Sequence, residues 1–205
     1  MLYKPTVFVV DDDKDMRNSL LWLIESICVP AKAFASAETF LTAYDTNQCG
    51  CLLLDVRMPG MGGLHLLDHL KNMGSLLPVI MLTGHGDIRM AVKTLQAGTF
   101  DFIEKPPPHQ QLLDRIHDAL KKDKEVQLKL SRQHVIKERI DSLTPREHQV
   151  IDLIIKGDST KVIAINLELS NRTVEKHRQN IMEKMKARSV LHLIRMILDY
   201  KTTHK

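Results

Sequence analysis

Short apolar runs recur through the first half of the chain, and between them the apolar residues change their spacing. Thr6–Val10 (TVFVV) is unbroken and β-branched, which reads as a strand buried on both faces. Over 14–27, Met16, Leu20, Leu23, Ile24 and Ile27 share one face of a helix. The alternation then repeats. A strand at 29–34 precedes a helix capped by Ser36 and reaching about Tyr44. A strand at 51–54 (CLLL) precedes the loop MPGMGG and a helix bearing Leu64, Leu66, Leu67 and Leu70. A strand at 78–82 precedes a helix at 87–97 closed by Gly98. A strand at 100–104 precedes a last helix beginning near Pro107. Strands alternating with helices in this way predict an α/β fold, a parallel sheet covered on both faces. Such sheets bind ligands beyond the carboxyl ends of their strands, where strand order switches. Polar residues collect at those ends: Asp11 and Asp12 after the first strand, Asp55 on the third, Thr83 after the fourth and Lys105 after the fifth.

The second half has no strand-like run. Residues 115–140 are rich in charge and lack glycine and proline, which predicts a long connecting helix. Thr144 can cap a helix with Pro145 in its first position, and Glu147 completes a capping box. That helix runs to Lys156 and stops at Gly157. Ser159 or Thr160 caps a second helix to about Leu167, and Ser170 caps a third over 171–186. Ser189 caps a fourth, with Leu191, Ile194, Ile197 and Leu198 on one side. A chain of 205 residues suits two small domains. The expected division is 1–120, a helical linker at 121–141, and 142–205. Charge divides with it. Residues 1–120 carry 10 Lys+Arg against 14 Asp+Glu, net −4, and residues 121–205 carry 19 against 11, net +8. The asymmetry points to a basic half that meets a polyanion, against the plainer alternative of a solvated surface.

Asp11, Asp12 and Asp55, brought together, need a cation: two unit charges ~4 Å apart repel by ~4 kcal/mol at an effective dielectric of ~20. Hard oxygen ligands with open positions suit Mg²⁺. Asp55 can then serve as a nucleophile towards phosphorus, with Lys105 adding positive charge and the Thr83 hydroxyl donating to a phosphoryl oxygen. Aspartates at strand ends also serve merely as helix caps, but caps do not require three aspartates, a threonine and a lysine at the proper strand tips in order. In the basic half, Val174, Ile181 and Met185 point inward on the third helix, while Thr173, Lys176, His177, Asn180 and Lys184 lie mostly opposite. A polar, basic helix face fits the DNA major groove. Arg172, Lys176, Arg178 and Lys184, with Thr160 and Lys161 on the preceding helix, are the expected electrostatic contacts.

The segments VFVVDDD, LLLDVRMPGMGG, VIMLTGHGD and FDFIEKP resemble the receiver domain of bacterial two-component response regulators over residues 5–118. The TGHGD and DFIEKP wording resembles the FixJ subfamily. The stretch LTPREHQVIDLIIKGDSTKVIAINLELSNRTVEKHRQNIMEKMKARS resembles the LuxR-type helix-turn-helix domain over 142–200, with 159–178 as the bihelical unit. The resemblance implies a flavodoxin-like (βα)5 receiver followed by a small all-α, four-helix DNA-binding domain. It implies Asp55 as the phosphoacceptor. It also implies Asp12, Asp55 and the backbone carbonyl of Arg57 as direct Mg²⁺ ligands, and Asp11 acting through water. Thr83 and Phe102 match the family's switch pair. A sensor histidine kinase, promoter DNA, a second copy of the chain on activation and RNA polymerase are the implied partners. Helix 190–200 would be a dimer surface in the family, and Ile88, Val92 and Leu95 offer a second receiver another. Two departures stand out. Pro107 replaces the usual phenylalanine. Glu168 replaces a turn glycine found in many relatives, at a cost of ~1 kcal/mol if that position needs positive φ.

Other classes fit less well. A phosphohydrolase resembling the haloacid dehalogenases needs a second acid two residues after its nucleophile, where this chain has Arg57, and no cap domain fits the length. A DNA-binding protein whose receiver is never phosphorylated is the third reading. No apolar run approaches the ~20 residues of a membrane span. The N-terminus lacks the ~7–15 apolar residues of a signal peptide. Both point to the cytoplasm. Cys28, Cys49 and Cys51 are expected to be plain thiols. The leading expectation is a transcription regulator switched by phosphorylation, with no enzymatic activity beyond its own phosphorylation and dephosphorylation.

Overall fold

The structure is a computed structural model describing residues 3–84 and 98–203. The helix expected over 87–97, with Ile88, Val92 and Leu95, lies outside those residues. Five strands, β1 (Thr6–Val10), β2 (Ala31–Phe34), β3 (Gly50–Asp55), β4 (Val79–Thr83) and β5 (Asp101–Glu104), form one parallel sheet in the order β2-β1-β3-β4-β5. Alternation along each strand divides the core. Phe8, Val10, Leu52, Leu54 and Met81 face α2 (Ala37–Ala43) and α3 (Gly63–Asn72). Val7, Val9, Leu53, Ile80 and Leu82 face α1 (Lys14–Glu25) and the first part of α4 (His109–Asp141). Because helices cover both faces, every residue of β3 is buried, and its sequence is apolar without alternation. Strand limits differ from the apolar runs by a residue or two for a definite reason. The ladder continues through polar residues: Asp55 pairs with Leu82, and Thr83 with Glu104.

Packing divides the chain into two units, residues 1–128 and 129–205. The expected last receiver helix and the expected linker are one element. Helix α4 runs 33 residues without a break, and no glycine or proline between 109 and 141 favours one. Leu112, Ile116 and Ala119 are buried in the first unit, so Pro107 does not prevent that helix from packing. Asp123 is also buried there, at 1% exposure. Its carboxylate accepts from the Tyr3 hydroxyl at 2.8 Å, from the Gly50 N–H at 2.8 Å and from Gln127 Nε2 at 3.3 Å. These neutral donors make up for its lost hydration.

In the second unit, Ile136 and Ile140 at the end of α4 pack against α5 (Pro145–Ile155), α6 (Thr160–Asn166), α7 (Asn171–Met185) and α8 (Val190–Thr203). Val150, Ile163, Val174, Ile181, Met185 and Leu193 are fully buried among them. The caps fall as expected. Thr144 and Glu147 form a capping box on α5, Ser159 caps α6 and Ser170 caps α7. Glu168 has φ +54°, so this turn does hold a side chain in the left-handed region that glycine favours.

Gly50 has φ +142°, and a Cβ there would overlap the Thr6 carbonyl oxygen. Gly50→Ala should lose at least about 3 kcal/mol in urea denaturation of the full chain. Gly74, at φ +73° with nothing within 4 Å of an added Cβ, is the control. Its alanine variant should lose only about 1 kcal/mol.

Candidate functional site

Neighbouring parallel strands end side by side, so β1 and β3 deliver Asp11 and Asp55 to one place. Asp12, the next residue, is exposed beside them. One carboxylate oxygen from each of the three lies within 4.8 Å of the others. Asp11 is fully buried and Asp55 is 6% exposed. Helix α3 approaches Asp55 so closely that a Cβ on Gly63 would overlap the Asp55 carbonyl oxygen. From the end of β5, Lys105 places Nζ 2.7 Å from Asp11 Oδ2 and 3.0 Å from Asp55 Oδ1. Its own N–H donates to the Thr83 carbonyl at 2.7 Å, and the peptide bond to Pro106 is cis. The Arg57 N–H reaches Asp55 Oδ1 at 3.3 Å. Thr83 is buried on the last position of β4. Phe102 lies on β5 at 37% exposure, paired with Met81 in the ladder.

The charges do not balance: three carboxylates face one ammonium. Burial pushes the Asp55 carboxyl above its ordinary value, and the Asp11 charge adds to the rise against the opposing pull of Lys105. Burial alone would lower the Lys105 ammonium, but the bonds to Asp11 and Asp55 outweigh it and hold the group protonated. Asp11 Oδ1 accepts from the Asp13 N–H at 2.9 Å. Asp11 Oδ2 is buried against the Lys105 ammonium. Three carboxylates converging there are hard oxygen donors, a set that fits a small divalent cation.

On the second unit, Lys161, Arg172 and Lys176 are exposed, and Thr160, Thr173, His177, Arg178 and Asn180 are half-buried. Thr173 belongs to the cap: its hydroxyl meets that of Ser170 at 2.8 Å. Lys184 departs from the expectation that it faces outward with the others. Its Nζ lies 2.7 Å from Glu147 Oε2 and 3.2 Å from the Ser142 carbonyl. At about 100° per residue, Lys184 stands only about 80° from the Val174–Ile181–Met185 stripe, whereas Arg172 and Lys176 are nearly opposite it. Glu147 is 2% exposed and also accepts from the Thr144 N–H at 2.8 Å. Burial pushes its carboxyl up, but the Lys184 and Thr144 bonds outweigh that and hold it below the usual carboxylate range.

Several contributors carried little signal in the sequence. Arg17 donates to the Asp11 carbonyl at 2.7 Å. Arg139 donates to the Met185 carbonyl at 3.0 Å, and Arg146 to the Leu167 carbonyl at 2.5 Å. Arg139 and Arg146 each bond a backbone oxygen distant in sequence, which no local pattern announces. The capping box did mark Glu147, though not its second partner.

Residues 7–117 match the family model of the response regulator receiver domain, and residues 141–197 that of the bacterial regulatory proteins of the luxR family. The chain is 41% identical to the response regulator protein TodT of Pseudomonas putida over 93% of its own length and 84% of that protein. It is 38% identical to the transcriptional regulatory protein FixJ of Bradyrhizobium diazoefficiens over 97% of each. Among solved structures, the response regulator StyR superposes with a TM-score of 0.89 at 41% identity, covering 96% of this chain and all of that one. Full-length FixJ from B. japonicum gives 0.59 at 37% identity, with 98% and 99% covered. Among the described residues, no helix is long and apolar enough to cross a membrane.

The Glu147–Lys184 pair sets a pH dependence. With its folded-state value lowered, Glu147 contributes stability above its unfolded value of 4.5, and that contribution is lost as pH falls through the folded value. Glu147→Gln should cost about 2 kcal/mol at neutral pH, less than a fully buried pair because Lys184 is partly solvated. In denaturation of the full chain, the difference from wild type should shrink towards zero as the pH is lowered through the folded-state value of Glu147.

Proposed function

We propose how this chain, which belongs to the FixJ-like response regulators of two-component systems, transcription regulators with a receiver and a LuxR-type DNA-binding domain, is switched: a sensor histidine kinase phosphorylates Asp55. The observation that carries this reading is the cluster of Asp11, Asp12 and Asp55 around Lys105. An Asp55 carboxylate oxygen forms a bond to phosphorus as the phosphorus–nitrogen bond of a phosphohistidine breaks, and the imidazole leaves with the bonding pair. Asp12, Asp55 and the Arg57 carbonyl would hold Mg²⁺, with Asp11 acting through water. When bound, Mg²⁺ offsets the charge of the phosphoryl oxygens. Lys105 moves from the carboxylates to a phosphoryl oxygen, supplying its fixed positive charge to the transfer. The Thr83 hydroxyl then donates to the phosphoryl group, and Phe102 turns inward into the space Thr83 leaves. The chain acts on no substrate other than its own aspartate, which it also helps to dephosphorylate.

The receiver role belongs to residues 1–120 and promoter binding to 142–205, with 121–141 between them. Arg172, Lys176, Arg178 and Lys161 meet phosphates, while Thr160, Thr173, His177 and Asn180 stand within reach of phosphates or base edges. One such domain reads too few base pairs for specificity in a genome, so phosphorylation favours a homodimer that doubles the site. The exposed Leu191 and Leu198 of α8 support that reading. RNA polymerase is the further partner of a regulator bound at a promoter, and the cytoplasm is where kinase and DNA are both within reach.

With Mg²⁺ and acetyl phosphate, the purified chain should gain one hydroxylamine-labile phosphoryl group by intact-mass analysis. Chelator should prevent the gain, and equal labelling of Asp55→Asn would sink the assignment. Beryllofluoride should raise both the sedimenting mass and the promoter affinity. For binding to DNA, Lys176→Ala should flatten the plot of log affinity against log salt by about one, as loss of a phosphate contact requires.

A further inference from the structure

We infer that Lys184 does not contact DNA but positions the recognition helix α7, pinning its last turn, together with Arg139, to the end of α4 and the start of α5. This rests on the DNA-reading role given to α7 above. Two stretches distant in sequence, 139–147 and 184–185, meet at this point through charge-assisted bonds. From α7, the Lys184 ammonium bridges the buried carboxylate of Glu147, in the first turn of α5, and the carbonyl of Ser142, just beyond α4. From the last turn of α4, Arg139 donates to the carbonyl of Met185, the final residue of α7. A helix C-terminus leaves carbonyls without partners and favours cations, so both groups suit that end of α7.

Apolar packing alone under-determines this helix. Val174, Ile181 and Met185 keep one face of α7 against the core, but methyl contacts tolerate a few degrees of roll or tilt. Hydrogen bonds to two fixed oxygens do not. Phosphate contacts accept such a shift, whereas base edges are read only in register. Nor can the ammonium serve both purposes. To reach a phosphate it must leave Glu147 buried with a single backbone donor, the Thr144 N–H. Lys184 is therefore a positioning residue, and its effect should appear in sequence preference rather than in overall attraction to DNA.

The test uses the full chain with Mg²⁺ and beryllofluoride, and two DNAs: a duplex enriched by the wild-type chain from a randomised library, and poly(dI·dC). Each variant is first shown to be folded by circular dichroism at the assay temperature. Glu147→Gln and Lys184→Met should each lose about tenfold of the preference for the enriched duplex. Lys184→Met should keep the wild-type affinity for poly(dI·dC) and the wild-type salt slope, and Lys184→Arg should retain the preference. If Lys184 is instead a phosphate contact, Lys184→Met weakens both DNAs alike and flattens the salt slope by about 0.9. Glu147→Gln, which frees the ammonium, then strengthens both alike and leaves the preference at the wild-type value. Either result overturns the inference, as does a loss of thermal stability with unchanged preference. Should Lys184→Met fail to fold, the opposite outcomes expected of Glu147→Gln still decide. A wild-type chain that enriches no duplex and binds neither DNA removes the DNA-reading role itself, a result distinct from the others.

Discussion

Three carboxylates held within 4.8 Å of one another repel, and the carboxyl edge of the sheet is arranged around that repulsion. The parallel ladder creates the problem by ending β1 and β3 side by side. The edge meets it only in part. Lys105 comes from β5, two strands away from Asp55, and places one ammonium between Asp11 and Asp55. That single ammonium is shared between two of the three carboxylates, and Asp12 stands exposed beside them. A cluster of hard anionic donors of this kind fits a small divalent cation.

Most of the receiver was legible because its two signals are strong and local. A strand buried on both faces must be apolar without alternation, and β3 is. A helix against the sheet must be apolar on one face, and Leu66, Leu67 and Leu70 are buried as their spacing requires. The strand ends were less legible because hydropathy stops where the polar residues begin, while the hydrogen-bond ladder does not: Asp55 and Thr83 close β3 and β4 instead of following them. The division at residue 120 had no counterpart in the backbone. No glycine or proline there favours a break, and α4 continues through it.

The helical half shows where periodicity runs out. Spacing separates the centre of a buried stripe from the opposite face, and Arg172 and Lys176 are exposed accordingly. It says little about the flanks, where a long side chain can turn either way. Lys184 sits on a flank, and the deciding factor is a carboxylate 37 residues earlier in the chain. Glu147 had been legible as a cap, yet the same Oε2 that accepts from the Thr144 N–H also takes the Lys184 ammonium, and a cap signal says nothing of that second partner. Glu168 is the reverse case. The departure from glycine flagged a left-handed turn, and the backbone has one there at φ +54°.

The two ends of β3 are held in opposite ways. At its start, Gly50 is wedged against the Thr6 carbonyl and gives its N–H to Asp123, whose carboxylate is met by neutral donors from the chain terminus and α4. At its finish, Asp55 stands among unbalanced charges. A strand anchored at one end and loaded at the other cannot relieve the load by sliding along its own axis. What moves at Asp55 therefore meets its neighbours sideways in the ladder, β1 on one side and β4 on the other, with β5 and Phe102 beyond β4 at the edge of the sheet.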